Sequence, residues 1–171
     1  MTKPYRFTAA LATVALALGT TTAFADTSGG HNGQQNERHG ATVLKSDVFG
    51  SQPTGPVLFG VPPGGAPWVI TKAEAKVRRN GDVKVRVEGL VIPTPPSNGT
   101  NPVPNIAATV YCGGTAVGTT QAVPFSLAGD ARIDDTLATP LPSPCLAPAV
   151  LLNPAAGGVI TTTAYIAATG A

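Results

Sequence analysis

Histidine is almost missing from this sequence: it has two, His31 and His39, both in one polar stretch near the start. A Ser-His-Asp or Cys-His site needs a histidine held rigidly beside a nucleophile, so that chemistry has no carrier in the rest of the chain. No Cys, Asp or Glu stands at useful spacing from the pair in an ordered element, so they read as solvated tail residues rather than metal ligands. Aromatic residues make up only 5% of the chain, too few for the plane of exposed rings that a carbohydrate platform needs. Beyond residue 25 there is no helical periodicity and no run long and apolar enough to span a bilayer. No lipid-acceptor cysteine or wall-sorting tail is evident.

What is present begins with the leader. Lys3 and Arg6 form a cationic start, residues 7–18 form an apolar run, and Ala23-Phe24-Ala25 places small residues where a signal peptidase reads. Residues 1–25 therefore read as a secretory signal peptide, and the expected location is extracellular. Lys3 and Arg6 carry the whole +2 surplus; the other nine Lys and Arg residues balance the nine acidic ones. A neutral mature chain gives no reason to expect a nucleic-acid partner. Cys112 and Cys145 are the only cysteines, and two cysteines in an exported chain point to one structural disulfide.

Residues 26–40 contain no aliphatic or aromatic residue, and with nothing to bury they read as a disordered polar tail. Residues 41–66 read as transitional: Val43, Leu44, Val48, Phe49, Leu58 and Phe59 anchor the segment to a core while Pro53, Gly55 and Pro56 interrupt it. The β domain is expected over 67–171. Short runs rich in Val, Thr and Ile, punctuated by Gly and Pro, place strands at 68–78, 82–92, 106–112, 117–127, 131–137, 149–152 and 159–168. About seven strands predict an all-β, antiparallel, immunoglobulin-like sandwich with one disulfide. Pro124 confines its strand to an edge or a bulge, and Trp68 is expected to plug the core.

The hairpin around Asn80-Gly81 has a readable register. A two-residue loop would set valines opposite charges, whereas opposed residues must share a face. A three-residue loop, Arg79-Asn80-Gly81, pairs Val77 with Val83, Ala75 with Val85 and Ala73 with Val87. Outside, it sets Arg78 by Asp82, Glu74 by Arg86 and Lys72 by Glu88, leaving only Lys76 opposite Lys84 unfavourable. Gly81 takes the left-handed position.

Three groups of residues invite a chemical reading. Asp130, Asp134 and Asp135 suggest a calcium site or an acid pair, but on a regular strand Asp130 and Asp134 stand about 13 Å apart at roughly 3.3 Å per residue, too far for one calcium shell. The hairpin's outer face carries Lys72, Lys76, Arg78, Lys84 and Arg86, half of them paired and none interleaved with aromatics, which reads as a solvated sheet face. Tyr111 and Tyr165 fall on the parity opposite Cys112 and Ile166, so a polar-aromatic contact surface is expected from Tyr111, Tyr165, Thr109, Thr161 and Thr163. Asn98-Gly99-Thr100 matches a glycosylation sequon.

Gly64-Gly65-Ala66-Pro67-Trp68-Val69-Ile70, the stretch from Val85 to Pro93, Val110-Tyr111-Cys112 and Pro144-Cys145 resemble small, uncharacterised secreted proteins of high-GC bacteria, over about residues 57–171. That group brings no active site to carry over. The Ala, Gly, Thr and Val richness is also similar to immunoglobulin-like carriers of the neocarzinostatin type, which have two disulfides where this chain has cysteine for one. The expectation is an exported, non-enzymatic, monomeric β-sandwich without a cofactor. Its role would be binding, envelope-associated or structural, toward an extracellular or cell-envelope partner. A small-ligand carrier is the alternative, and a hydrolase using the acidic segment the third reading.

Overall fold

A computed structural model describes residues 40–170. The segments read as a signal peptide, residues 1–25, and as a polar tail, up to His39, lie outside the described residues. The described chain contains ten strands and no helix: β1 (Thr42–Gly50), β2 (Lys72–Arg78), β3 (Asp82–Glu88), β4 (Asn105–Cys112), β5 (Thr115–Thr119), β6 (Val123–Pro124), β7 (Ala131–Thr136), β8 (Ala149–Ala156), β9 (Val159–Ile160) and β10 (Ala167–Thr169). They form one curled antiparallel sheet in the order β5-β4-β8-β10-β1-β2-β3-β7, with β6 also paired to β4 and β9 to β8.

The hairpin forms in the expected register. Val77 lies opposite Val83, Glu74 opposite Arg86 and Lys72 opposite Glu88, and Gly81 has φ of 93°. The cause is burial: Ala73, Ala75, Val77, Val83, Val85 and Val87 all point into the main core, and a slip of one residue would turn them into water. Of the expected outer pairs, Arg78 meets Asp82 at 3.8 Å, while other charges find different partners. Glu74 reaches Lys45 on β1 at 3.4 Å instead of Arg86. Lys84 turns from Lys76 to Asp134 on β7 at 3.1 Å, which relieves the like-charge contact.

Ten strands replace the expected seven for two reasons. The runs 117–127 and 159–168 each break in two, at residues 120–122 and 161–166. The segment read as transitional supplies β1. Its apolar residues fall on both parities because the ladder with β2 shifts register between Thr42 and Leu44, and Val48 to Gly50 then pair with β10 instead. A strand that changes partners loses the alternation by which strands are recognised. Pro124 sits in the two-residue β6, paired on one side to β4, as its missing N–H requires.

The main core gathers the inward residues of both halves of the curl, with Trp68 among them as expected. A second, smaller core lies on the other face of β4, β8 and β10. It contains Val61, Tyr111, Leu151, Tyr165 and Ala168. Residues 51–67 cover this face: Ser51 N donates to Ile166 O, Gly64 N to Tyr165 O, and Tyr165 N to Pro62 O.

The disulfide joins Cys112, the last residue of β4, to Cys145, with their Cα atoms 5.0 Å apart. Gly113 N donates to Leu146 O beside it. The bond thereby fixes residues 145–148 against the end of β4. On the chain-entropy view such a loop contributes roughly 3–4 kcal/mol.

Candidate functional site

The face of β4, β8 and β10 turned away from the main core is where the sequence predicts an exposed contact surface. The parity holds and the exposure does not. Tyr111 is 5% exposed, Tyr165 3% and Thr109 2%. Burial raises the pKa of both phenols. Tyr165 Oη donates to Pro56 O at 2.7 Å. Thr109 Oγ1 donates to Asn153 Oδ1 at 2.7 Å and lies 3.0 Å from Thr119 Oγ1. Asn153, fully buried, donates in turn to Ala164 O at 2.7 Å. Thr161 and Thr163 stand exposed in the turn before β10. The five residues therefore do not make one open surface, because residues 51–67 fold over the tyrosines.

The cover is incomplete. Between it and the sheet lies an open cleft of about 540 Å³. Leu151, Ala149 and Ala168 line it from the sheet, Pro56, Leu58 and Phe59 from the cover. Ala147 and Pro148, next to the disulfide, form another wall, and Phe49 stands at the end of β1. The sequence predicts that Phe49 and Phe59 anchor into a core, but they are 57% and 38% exposed. Apolar side chains gathered around an apolar cleft mark a contact site more often than a random surface does.

Phe59 owes its position to an expensive turn. Leu58 and Val61 exchange both backbone hydrogen bonds, at 2.9 and 2.8 Å. The two residues between them, Phe59 and Gly60, have φ of 52° and 80°, the signature of a type I′ turn. Asn-Gly is the favoured pair in such a turn; a bulky side chain in the left-handed region costs roughly 1–2 kcal/mol. The ring is braced by stacking on Tyr111, with centroids 4.6 Å apart. Ala147, on the opposite wall, also has positive φ, 41°. Strain of this kind gathers at functional sites. Phe-Gly between Leu58 and Val61 is the sequence signal for this feature, since a hydrophobic residue at that turn position is out of place.

The acidic segment is scattered. Asp130 Oδ1 accepts from Gly89 N at 2.9 Å. Asp134 binds Lys84, and that hydrogen bond, helped by Arg132, holds its carboxyl below the usual aspartate range. Asp135 accepts from Gln121 N at 2.7 Å, tying β7 to the chain beyond β5. Each carboxylate has its own structural partner, and among the described residues no cluster of three metal-ligating side chains occurs. The outer face of β2, β3 and β7 is a solvated face with exposed ion pairs at Lys45–Glu74, Lys84–Asp134 and Arg132–Asp134. Asn98 of the sequon lies in a turn, with its side-chain amide donating to Pro96 O.

No family model, no curated protein and no solved structure matches this chain.

Proposed function

We propose that this chain is an exported, non-enzymatic binding protein whose working site is the cleft on the outer face of β4, β8 and β10. The observation that carries this reading is the cleft itself: a concave apolar site, walled by strained residues on two sides and rimmed by exposed phenylalanines. The disulfide supports an oxidising compartment, and with it the reading of residues 1–25 as a signal peptide. The immunoglobulin-like reading of the fold is supported by β1, which pairs with β2 in one half of the curl and with β10 in the other, as a strand shared by two facing sheets does. A binding role is favoured over the acidic-segment hydrolase because the carboxylates are apart and separately engaged.

Tagged protein recovered from the culture medium of its native host tests this. Its first residue should be Asp26, and it should retain a partner or ligand that Ala149→Trp, which fills the cleft from the sheet side, no longer holds. Equal retention by both proteins, or an intact Met1 in the released material, would sink the proposal.

A further inference from the structure

The character of the cleft narrows what it can hold. Among the described residues, its lining contains no Lys, Arg, His, Asp or Glu. A charged ligand entering it would lose hydration and meet no countercharge. Each polar side chain at the cleft already makes a hydrogen bond within the fold. Tyr165 Oη is bonded to Pro56 O, and Ser51 Oγ donates to Tyr165 O at 3.3 Å. Gln52 Nε2 donates to Trp68 O at 3.2 Å, and Thr169 Oγ1 accepts from Val150 N at 3.0 Å. Most of what the site offers an incoming molecule is hydrocarbon and ring surface. Its volume, about 540 Å³, lies within the range of roughly 300–1,000 Å³ typical of small-molecule sites.

Phe59 is the residue whose placement the fold alone does not explain. Asn before Gly60 would make the same turn with less strain, and the ring, though stacked on Tyr111, leaves Phe59 38% exposed. Phe49, at the other end of the site, rests on a glycine: a Cβ at Gly170 would lie 2.6 Å from its ring. Both rings thus stand at the cleft, one on a left-handed turn residue and the other packed on a glycine.

We infer that the cleft takes a small, uncharged, largely hydrocarbon molecule, with Phe59 as the aromatic residue that determines its affinity. This rests on the binding reading above and names the ligand class for the same site. The type I′ turn supplies a clean probe, because Phe59→Asn removes the ring while installing the residue the turn prefers.

The test is fluorescence titration of the purified mature chain with the neutral probe N-phenyl-1-naphthylamine, alongside its sulfonated, anionic analogue. Saturable one-to-one binding of the neutral probe is expected, tighter than the anion. Phe59→Asn should raise Kd by about tenfold while the thermal midpoint stays within about 5 °C. Ala149→Trp should abolish binding. Leu127→Asn, at an exposed apolar residue away from the cleft, should change nothing. Absence of saturable binding, preference for the anion, or equal loss in Leu127→Asn would overturn the inference. So would a dimer in sedimentation that Phe59→Asn dissolves, since a second copy would then be the occupant. If native-host protein retains a polar ligand or a protein through the cleft while the neutral probe fails to bind, the binding reading stands and this inference falls.

Discussion

On β3, Val83, Val85 and Val87 are buried while Lys84, Arg86 and Glu88 between them stand in water; on β4, every residue from Ile106 to Cys112 is buried. The first strand has one face on the core and one in solvent, so its sequence alternates and its register can be read. The second is covered on both faces, by the main core and by residues 51–67. Alternation there carries no information, because both parities are dry. β8 behaves like β4, with Val150, Leu151, Leu152 and Asn153 all fully buried. The difference teaches that outward parity is not outward exposure. A loop laid over one half of a curled sheet turns its outer face into a second core, and the gap it leaves into a binding cleft.

Four variants probe that comparison. The largest effect is expected from removing the staple of the doubly covered half: Cys112→Ser with Cys145→Ser should lower unfolding free energy by roughly 3–4 kcal/mol in a denaturant titration. A loss under about 1 kcal/mol would mean that the bond merely decorates a loop already held in place. Next comes Leu151→Ala, expected to cost about 2–4 kcal/mol although Leu151 points away from the main core. If it behaves like a surface change, the second core does not stabilise the fold.

Gly81→Ala should cost roughly 1 kcal/mol, since Ala meets the left-handed penalty at φ of 93°. Its Cβ would also lie 3.3 Å from Thr139 O. An unchanged midpoint would disprove the three-residue loop. The smallest effect belongs to Lys84→Ala, outward on β3 with the parity that Leu151 has on β8. Loss of an exposed ion pair should change stability by at most about 0.5 kcal/mol. The Asp134 carboxyl, held low chiefly by the Lys84 hydrogen bond, should rise toward the ordinary aspartate value in a carbon-13 titration. The sign follows from linkage. A depressed carboxyl contributes stability above its unfolded pKa and loses it as pH falls through the folded one, so the small wild-type advantage should vanish in acid. A wild-type Asp134 that titrates normally would remove the basis for this pair.

Some of the molecule is legible in chain order alone. The valines at 77, 83, 85 and 87 and the charges between them choose the three-residue loop over the two-residue one, since a slip of one residue buries a lysine and exposes a valine. Two cysteines admit one disulfide, and Pro124 admits only an edge or a bulge. These are local or exclusive constraints, and so they, together with the all-β class, follow from the residues themselves. Other features depend on which distant segments meet. The sequence pattern hides β1 because the strand leaves β2 for β10 at Val48. Tyr111 and Tyr165 read as exposed because nothing in their strands announces that residues 51–67 return to cover them. The cleft is invisible for the same reason: its walls come from residues 49–59, 147–151 and 165–170. Which outward face becomes a second core, and where a cavity is left in it, is settled by the packing of those remote segments. Burial on both faces erases the periodicity that local sequence can show.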